Sequence, residues 1–137
     1  MRAVVDVEVL ISGVLSAKGS SAEILRASRD GQFELVVSEL LLAELTRTLA
    51  YPKLRKRIAP EKAAAFANWI RDHATVAEDP AGPPPVASRD PDDDYLLAFA
   101  INRRAYLVTG DKDLLVLSDD LPILTPAQLA TKLRETS

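Results

Sequence analysis

The sequence predicts an α/β fold: a parallel sheet with helices on both faces. Three observations carry this. Short β-prone runs at residues 2–5, 33–37, 105–109 and 121–124 alternate with longer helical patterns, the order that builds βαβ units with right-handed crossovers. Residues 95–101 are apolar on every side of a helix, as suits a helix lying on a sheet rather than one with a solvent face. Acids follow two of the strand-like runs, Asp6 after the first and Asp111 after Thr109-Gly110, and in open α/β sheets the carboxyl ends of the strands are where ligands bind.

Each element has its own justification. Arg2 to Val5 is a short strand that delivers Asp6, and Val9-Leu10-Ile11 with Val14-Leu15 continues as a helical patch. Ser20 and Glu23 have capping-box spacing, so a helix is expected to open at Ser20 and close near Asp30-Gly31. After the second strand, Ser38 caps a helix whose apolar positions Leu41, Leu42, Leu45 and Leu49 run past Glu44. Glu44 has two readings: a carboxylate at the edge of that stripe, or a surface glutamate beside Glu39 and Arg47. Pro52 is expected to break the chain, and Pro60 to open a helix that ends at His73, a dipole partner there. Residues 75–77 are expected to form a short strand. Residues 78–85, rich in proline, read as an extended surface connection. A final strand at 121–124 leads to Thr125-Pro126 as N-cap and N1 of the last helix.

The stretch from Ser88 to Leu115 holds most of the chemistry. Asp90-Pro91 reads as N-cap and N1, which places Asp92, Asp93 and Asp94 in the first helical turn, where the macrodipole stabilises carboxylates. Asp94 adjoins the apolar run and is expected at the inner edge of the protein. Asp111 and Asp113 follow the strand at 105–109, where the bland alternative is a simple Gly-Asp turn. Helices that feed parallel strands begin at the carboxyl edge, so Asp6, Asp94 and Asp111 share that edge, with Glu44 one to two turns into its helix. Acids so grouped would repel one another unless a divalent cation joined them. Oxygen-only ligands select Mg²⁺ or Mn²⁺.

Composition bounds the rest. At 137 residues the chain is expected to be one domain spanning residues 1–137. With no cysteine and one histidine, disulfides and thiolate or His-rich metal sites are excluded. No signal-peptide pattern and no apolar stretch of about 20 residues is visible, so a cytoplasmic protein without a membrane span is expected. Net charge is −3, which argues against nucleic-acid binding by bulk positive charge. One basic cluster stands out: Lys53, Arg55, Lys56 and Arg57 could meet phosphates or an acidic partner, or form a solvated face.

In this order and spacing, Val4-Val5-Asp6 through Ile11-Ser12, the helix from Ser38 past Glu44, Arg89-Asp90-Pro91 to Ala98, and Val108-Thr109-Gly110-Asp111-Lys112-Asp113-Leu114-Leu115 resemble the PIN-domain family, specifically its VapC-like ribonuclease toxins of bacterial toxin–antitoxin pairs. The resemblance implies a three-layer α/β/α sandwich on a mostly parallel sheet, commonly dimeric. It implies that Asp6, Glu44, Asp94 and Asp111 are both catalytic and metal-binding, with Glu8, Asp93, Thr109 and Asp113 as possible additions. The implied activity is a Mg²⁺- or Mn²⁺-dependent endoribonuclease with RNA as substrate and an antitoxin protein as partner. One departure matters: where the family pattern reads Asp-Thr-Asn, this chain has Asp6-Val7-Glu8. It makes room for a second reading, a catalytically weakened PIN-fold binding module. A third, phosphotransfer of the haloacid-dehalogenase kind, wants an aspartate two residues after the nucleophile and a well-placed lysine, and offers only Lys112 between two aspartates.

Overall fold

The computed structural model describes residues 1–80 and 91–136. In chain order its elements are β1 (Arg2–Val5), α1 (Val7–Leu15), α2 (Ser20–Arg29), β2 (Glu34–Val37), α3 (Glu39–Leu49), α4 (Pro52–Arg55), α5 (Pro60–His73), β3 (Thr75–Val76), α6 (Pro91–Asn102), β4 (Tyr106–Val108), α7 (Lys112–Leu115), β5 (Ile123–Leu124) and α8 (Pro126–Thr136). The strands form one sheet in the order β3-β2-β1-β4-β5, and every pairing is parallel. Helix α2 packs on both α1 and α8, α3 packs on α5, and α6 lies on β1 and β4. The result is the three-layer α/β/α arrangement the sequence predicts.

The strand order has a consequence for function. The chain runs from β1 outward through β2 and β3, then returns to the other side of β1 for β4 and β5. The order therefore reverses between β1 and β4, and a crevice opens at the carboxyl ends of strands flanking such a switch point. Register pairs Val5 with Val108, so the residues that follow, Asp6 and Thr109, emerge side by side.

The core explains the near-absence of polar residues in the central strands. Ala3, Val4, Leu107 and Val108 are fully buried, as are Leu97, Phe99 and Ala100 of α6, Leu41 and Leu45 of α3, Ile70 of α5 and Leu129 of α8. Parallel strands covered on both faces have no solvent side to alternate with. Gly13 lets α1 and α2 approach closely: a Cβ there would collide with the Leu25 side chain and sit 3.0 Å from the Ser21 carbonyl oxygen.

Several local expectations are corrected. Ser20 is not an N-cap; Gly19, with φ of 99°, holds that position and no side chain caps the helix. Glu23 instead takes two hydrogen bonds from Arg134 of α8 at 2.8 and 3.0 Å, so the interhelical ion pair displaces the local box. The capping box forms elsewhere, on Thr125: its hydroxyl accepts from Gln128 N, and the Gln128 side chain accepts from Thr125 N at 2.8 Å. Pro52 does not simply break the chain but starts the short helix α4 as its first residue. His73 does more than face a helix dipole: its Nε2 lies 2.8 Å from the Ser28 carbonyl oxygen and its ring stacks on Trp69, which ties α5 to α2. Residues 81–85 of the proline-rich connection and the N-cap assigned to Asp90 lie outside the described residues.

Candidate functional site

The site is built from the residues that leave β1 and β4. Asp6 leads directly into α1, and its backbone N–H continues the β1–β4 ladder by donating to the Val108 carbonyl at 2.9 Å. The helix that starts here turns its positive end toward the Asp6 carboxylate. Thr109, fully buried, donates its hydroxyl hydrogen to Asp6 Oδ2 at 2.9 Å. The same hydroxyl accepts from Asp111 N at 3.0 Å, and Asp111 Oδ1 accepts from Asp113 N at 2.9 Å, capping α7. One chain of hydrogen bonds thus links the ends of both strands.

Glu44 enters from α3. It is half-buried and accepts a short hydrogen bond from the Tyr95 hydroxyl of α6, so its reading as a carboxylate at the edge of the apolar stripe holds and the surface reading falls. Asp94, next to Tyr95 in the first turn of α6, is half-buried. Glu8, exposed on the first turn of α1, and Glu44 both act electrostatically on Asp6. The structure thus brings Asp6, Glu44, Thr109 and Asp111 into one neighbourhood, with Glu8 beside Asp6; Asp94 adjoins Tyr95 in the chain, and Asp113 joins through its backbone N–H, which donates to Asp111. The side chain of Asp93 lies outside the described residues.

Electrostatics follow from the packing. Burial raises the Asp6 pKa above its ordinary 3.8; the Thr109 hydroxyl and the Glu8 backbone N–H pull it down, while the negative charges of Glu8 and Glu44 push it up further. Tyr95 is pushed far above its usual 10.0, by burial first, then by its bond to Glu44 and by the charges of Glu44, Asp6 and Asp79. It therefore remains a hydrogen-bond donor at any working pH.

Two participants escape sequence reasoning. Tyr95 sits in an apolar helix run, and nothing local marks it as the donor that orients Glu44. Asp79, read only as part of a proline-rich connection, accepts from Leu40 N at 3.3 Å at the start of α3 and lies close enough to act on Tyr95. Its other oxygen is buried with no hydrogen-bond partner among the described residues.

Among the described residues, no three acidic or histidine side chains stand close enough together to hold a metal ion as they are placed. Glu44 is drawn to Tyr95 and Asp111 to the start of α7. Each engages one carboxylate oxygen in that bond. The donor chemistry is oxygen-only and anionic around a buried carboxylate, which fits a hard divalent cation and no softer metal.

A parallel α/β protein with acidic side chains at its topological switch point is the class that fold and site define. The sequence profile of the PIN domain matches residues 2–113, and the chain belongs to that family. An uncharacterised protein of Methanocaldococcus jannaschii is 28% identical over 120 residues, 88% of this chain and 77% of that protein. Among solved structures, VapBC2 from Rickettsia felis, determined bound to a DNA fragment from its promoter, superposes with a TM-score of 0.63 at 14% identity, covering 91% of this chain and 98% of the other. A PilT N-terminus domain protein of Sulfolobus solfataricus P2 does so with a TM-score of 0.56 at 18% identity, covering 97% and 93%. Likeness at these identities is a likeness of fold. No helix among the described residues is long and apolar enough to cross a membrane.

Proposed function

We propose that the protein is a divalent-metal-dependent endoribonuclease and the toxin of a toxin–antitoxin pair. The observation that carries this reading is the bond between Thr109 and Asp6 across the ends of β1 and β4, with Glu44 acting on the same carboxylate. Membership in the PIN family and the fold shared with VapBC2 support it.

Asp6, Glu44, Asp94 and Asp111 would hold Mg²⁺ or Mn²⁺. Bound there, such an ion would supply Lewis acidity of the kind that phosphodiester hydrolysis needs. The chain's own contribution is positioning. Thr109 fixes the Asp6 rotamer, Tyr95 fixes Glu44, and the capping of α7 fixes Asp111. Preorganised side chains of this kind cost little reorganisation when charge shifts during reaction.

Purified protein should cleave single-stranded RNA with Mg²⁺ or Mn²⁺ and not in chelator, and Asp94→Asn should abolish cleavage while leaving the fold intact by circular dichroism. Full activity in Asp94→Asn would remove that residue from the site. Millimolar Mg²⁺ should also raise the melting temperature, because at a hundredfold excess over Kd a ligand of the native state adds about 2.7 kcal/mol. Metal binding without cleavage of any RNA would leave the second reading, a PIN-fold binding module, which Glu8 in place of the family asparagine favours.

A further inference from the structure

We infer that the groove between α1 and the α3–α4 corner is a nucleotide subsite, in which Tyr51 stacks on a base of single-stranded RNA while Lys53 and Arg57 hold its phosphates. This inference rests on the nuclease reading and adds where the substrate strand runs. One wall is a single stripe of α1, made of Glu8, Ile11, Ser12 and Leu15, spaced so that they share one helix face. The opposite wall is made by Tyr51, Lys53, Leu54 and Arg57. The groove holds about 350 Å³, within the roughly 300–1,000 Å³ of clefts that take small molecules.

Four features fit this occupant. The floor is apolar, from Ile11 and Leu54, both buried, and Leu15, which suits the face of a base. Tyr51 is a large aromatic side chain left 54% exposed, though its body is rigid and its backbone is fixed by a hydrogen bond to Thr48 and by those from Leu54 and Arg55. An exposed aromatic ring beside cations is how sequence-tolerant single-strand binders seat successive bases. The basic cluster supplies the cations: residues 53–57 carry four positive charges and no negative one in a chain whose net charge is −3. Among the described residues the ion pairs engage Arg2, Arg29, Arg71 and Arg134 and none of this cluster.

Continuity with the acidic site sets the direction. Glu8 lines the groove and also acts on Asp6, so a strand whose scissile phosphate lies at Asp6 passes along the groove with its neighbouring nucleotide. A polyanion approaching an acidic centre meets repulsion, and Lys53 and Arg57 offset it one nucleotide away.

The test measures binding of a fluorescent single-stranded RNA dodecamer by anisotropy, with Ca²⁺ in place of Mg²⁺ so that binding is read apart from cleavage. Tyr51→Ala should weaken affinity about tenfold, the worth of one base stack, and leave the salt dependence unchanged. Tyr51→Trp, which keeps a stacking face, should retain wild-type affinity, a rescue that a merely structural role for Tyr51 would not show. Lys53→Gln with Arg57→Gln should lower the slope of log K against log salt by about 1.4, since each phosphate contact on a single strand adds about 0.7. Wild-type cleavage of RNA, with affinity within about twofold of wild type in both alanine and glutamine variants, overturns the subsite and leaves the nuclease reading standing. A wild-type protein that neither binds nor cleaves RNA overturns both. Unchanged RNA affinity together with release of a copurifying protein by the same substitutions also overturns it, and assigns the groove to a protein partner.

Discussion

Replacing Thr109 by valine isolates the bond that joins the two central strands at the site. Valine keeps the β-branched shape, so the fully buried position is neither emptied nor overfilled. What disappears is one hydroxyl that donates to Asp6 Oδ2 at 2.9 Å and accepts from Asp111 N at 3.0 Å. A hydrogen bond to an ionised group is worth about 1.5–3 kcal/mol, and a deserted N–H at a half-buried site adds about 1 kcal/mol. We expect Thr109→Val to cost about 2–4 kcal/mol at neutral pH in chelator. The pH dependence gives the stricter check. The Thr109 hydroxyl lowers the Asp6 pKa, so its loss raises that pKa further, and the penalty is largest where Asp6 is ionised. It should shrink toward about 1 kcal/mol, the worth of a neutral hydrogen bond, as pH falls through the folded-state pKa of Asp6, which burial holds above the ordinary 3.8. Urea unfolding at a series of pH values measures both, with an unchanged m value showing that the native state is intact. A loss below about 0.5 kcal/mol, or one independent of pH, would refute the account of Asp6 as a buried carboxylate held by Thr109.

Three further outcomes follow from the same structure. Asp6→Asn should abolish RNA cleavage yet raise the melting temperature in chelator at pH 7: because burial raises the folded-state pKa of Asp6 above 3.8, the wild type loses stability as pH rises through that raised value, and asparagine does not. The gain should vanish below pH 3.8, and a lower melting temperature at neutral pH would reverse the sign we assign. Glu8→Asn removes a charge that pushes Asp6 up and adds a hydrogen-bond donor, so cleavage should rise or stay level; a tenfold loss of both Mn²⁺ affinity and cleavage would instead make Glu8 a ligand. Gly13→Ala should cost about 1–3 kcal/mol of overpacking in thermal unfolding, because its Cβ would meet Leu25 and the Ser21 carbonyl, and a neutral effect would mean that α1 and α2 separate readily.

Much of this protein is local, and to that extent the sequence alone determined it. The β-branched run ending at Asp6, the fully apolar stretch 95–101 and the caps at Ser38 and Thr125 are properties of neighbouring residues, so strand alternation, the parallel sheet and the presence of acids at its carboxyl edge could be read directly. The local signal misled where a distant partner competed for the same group, as when Arg134 takes Glu23 from the Ser20 capping box. Pairing across the chain was decided only by the tertiary structure. Strand order places the switch point between β1 and β4, and this brings Thr109 to Asp6 across 103 residues. Likewise the crossing of α3 and α6 gives Glu44 its Tyr95 partner 51 residues away. Sequence periodicity records which face of an element is apolar, whereas the partner of a buried carboxylate depends on which elements meet, and that is fixed by packing of the whole core.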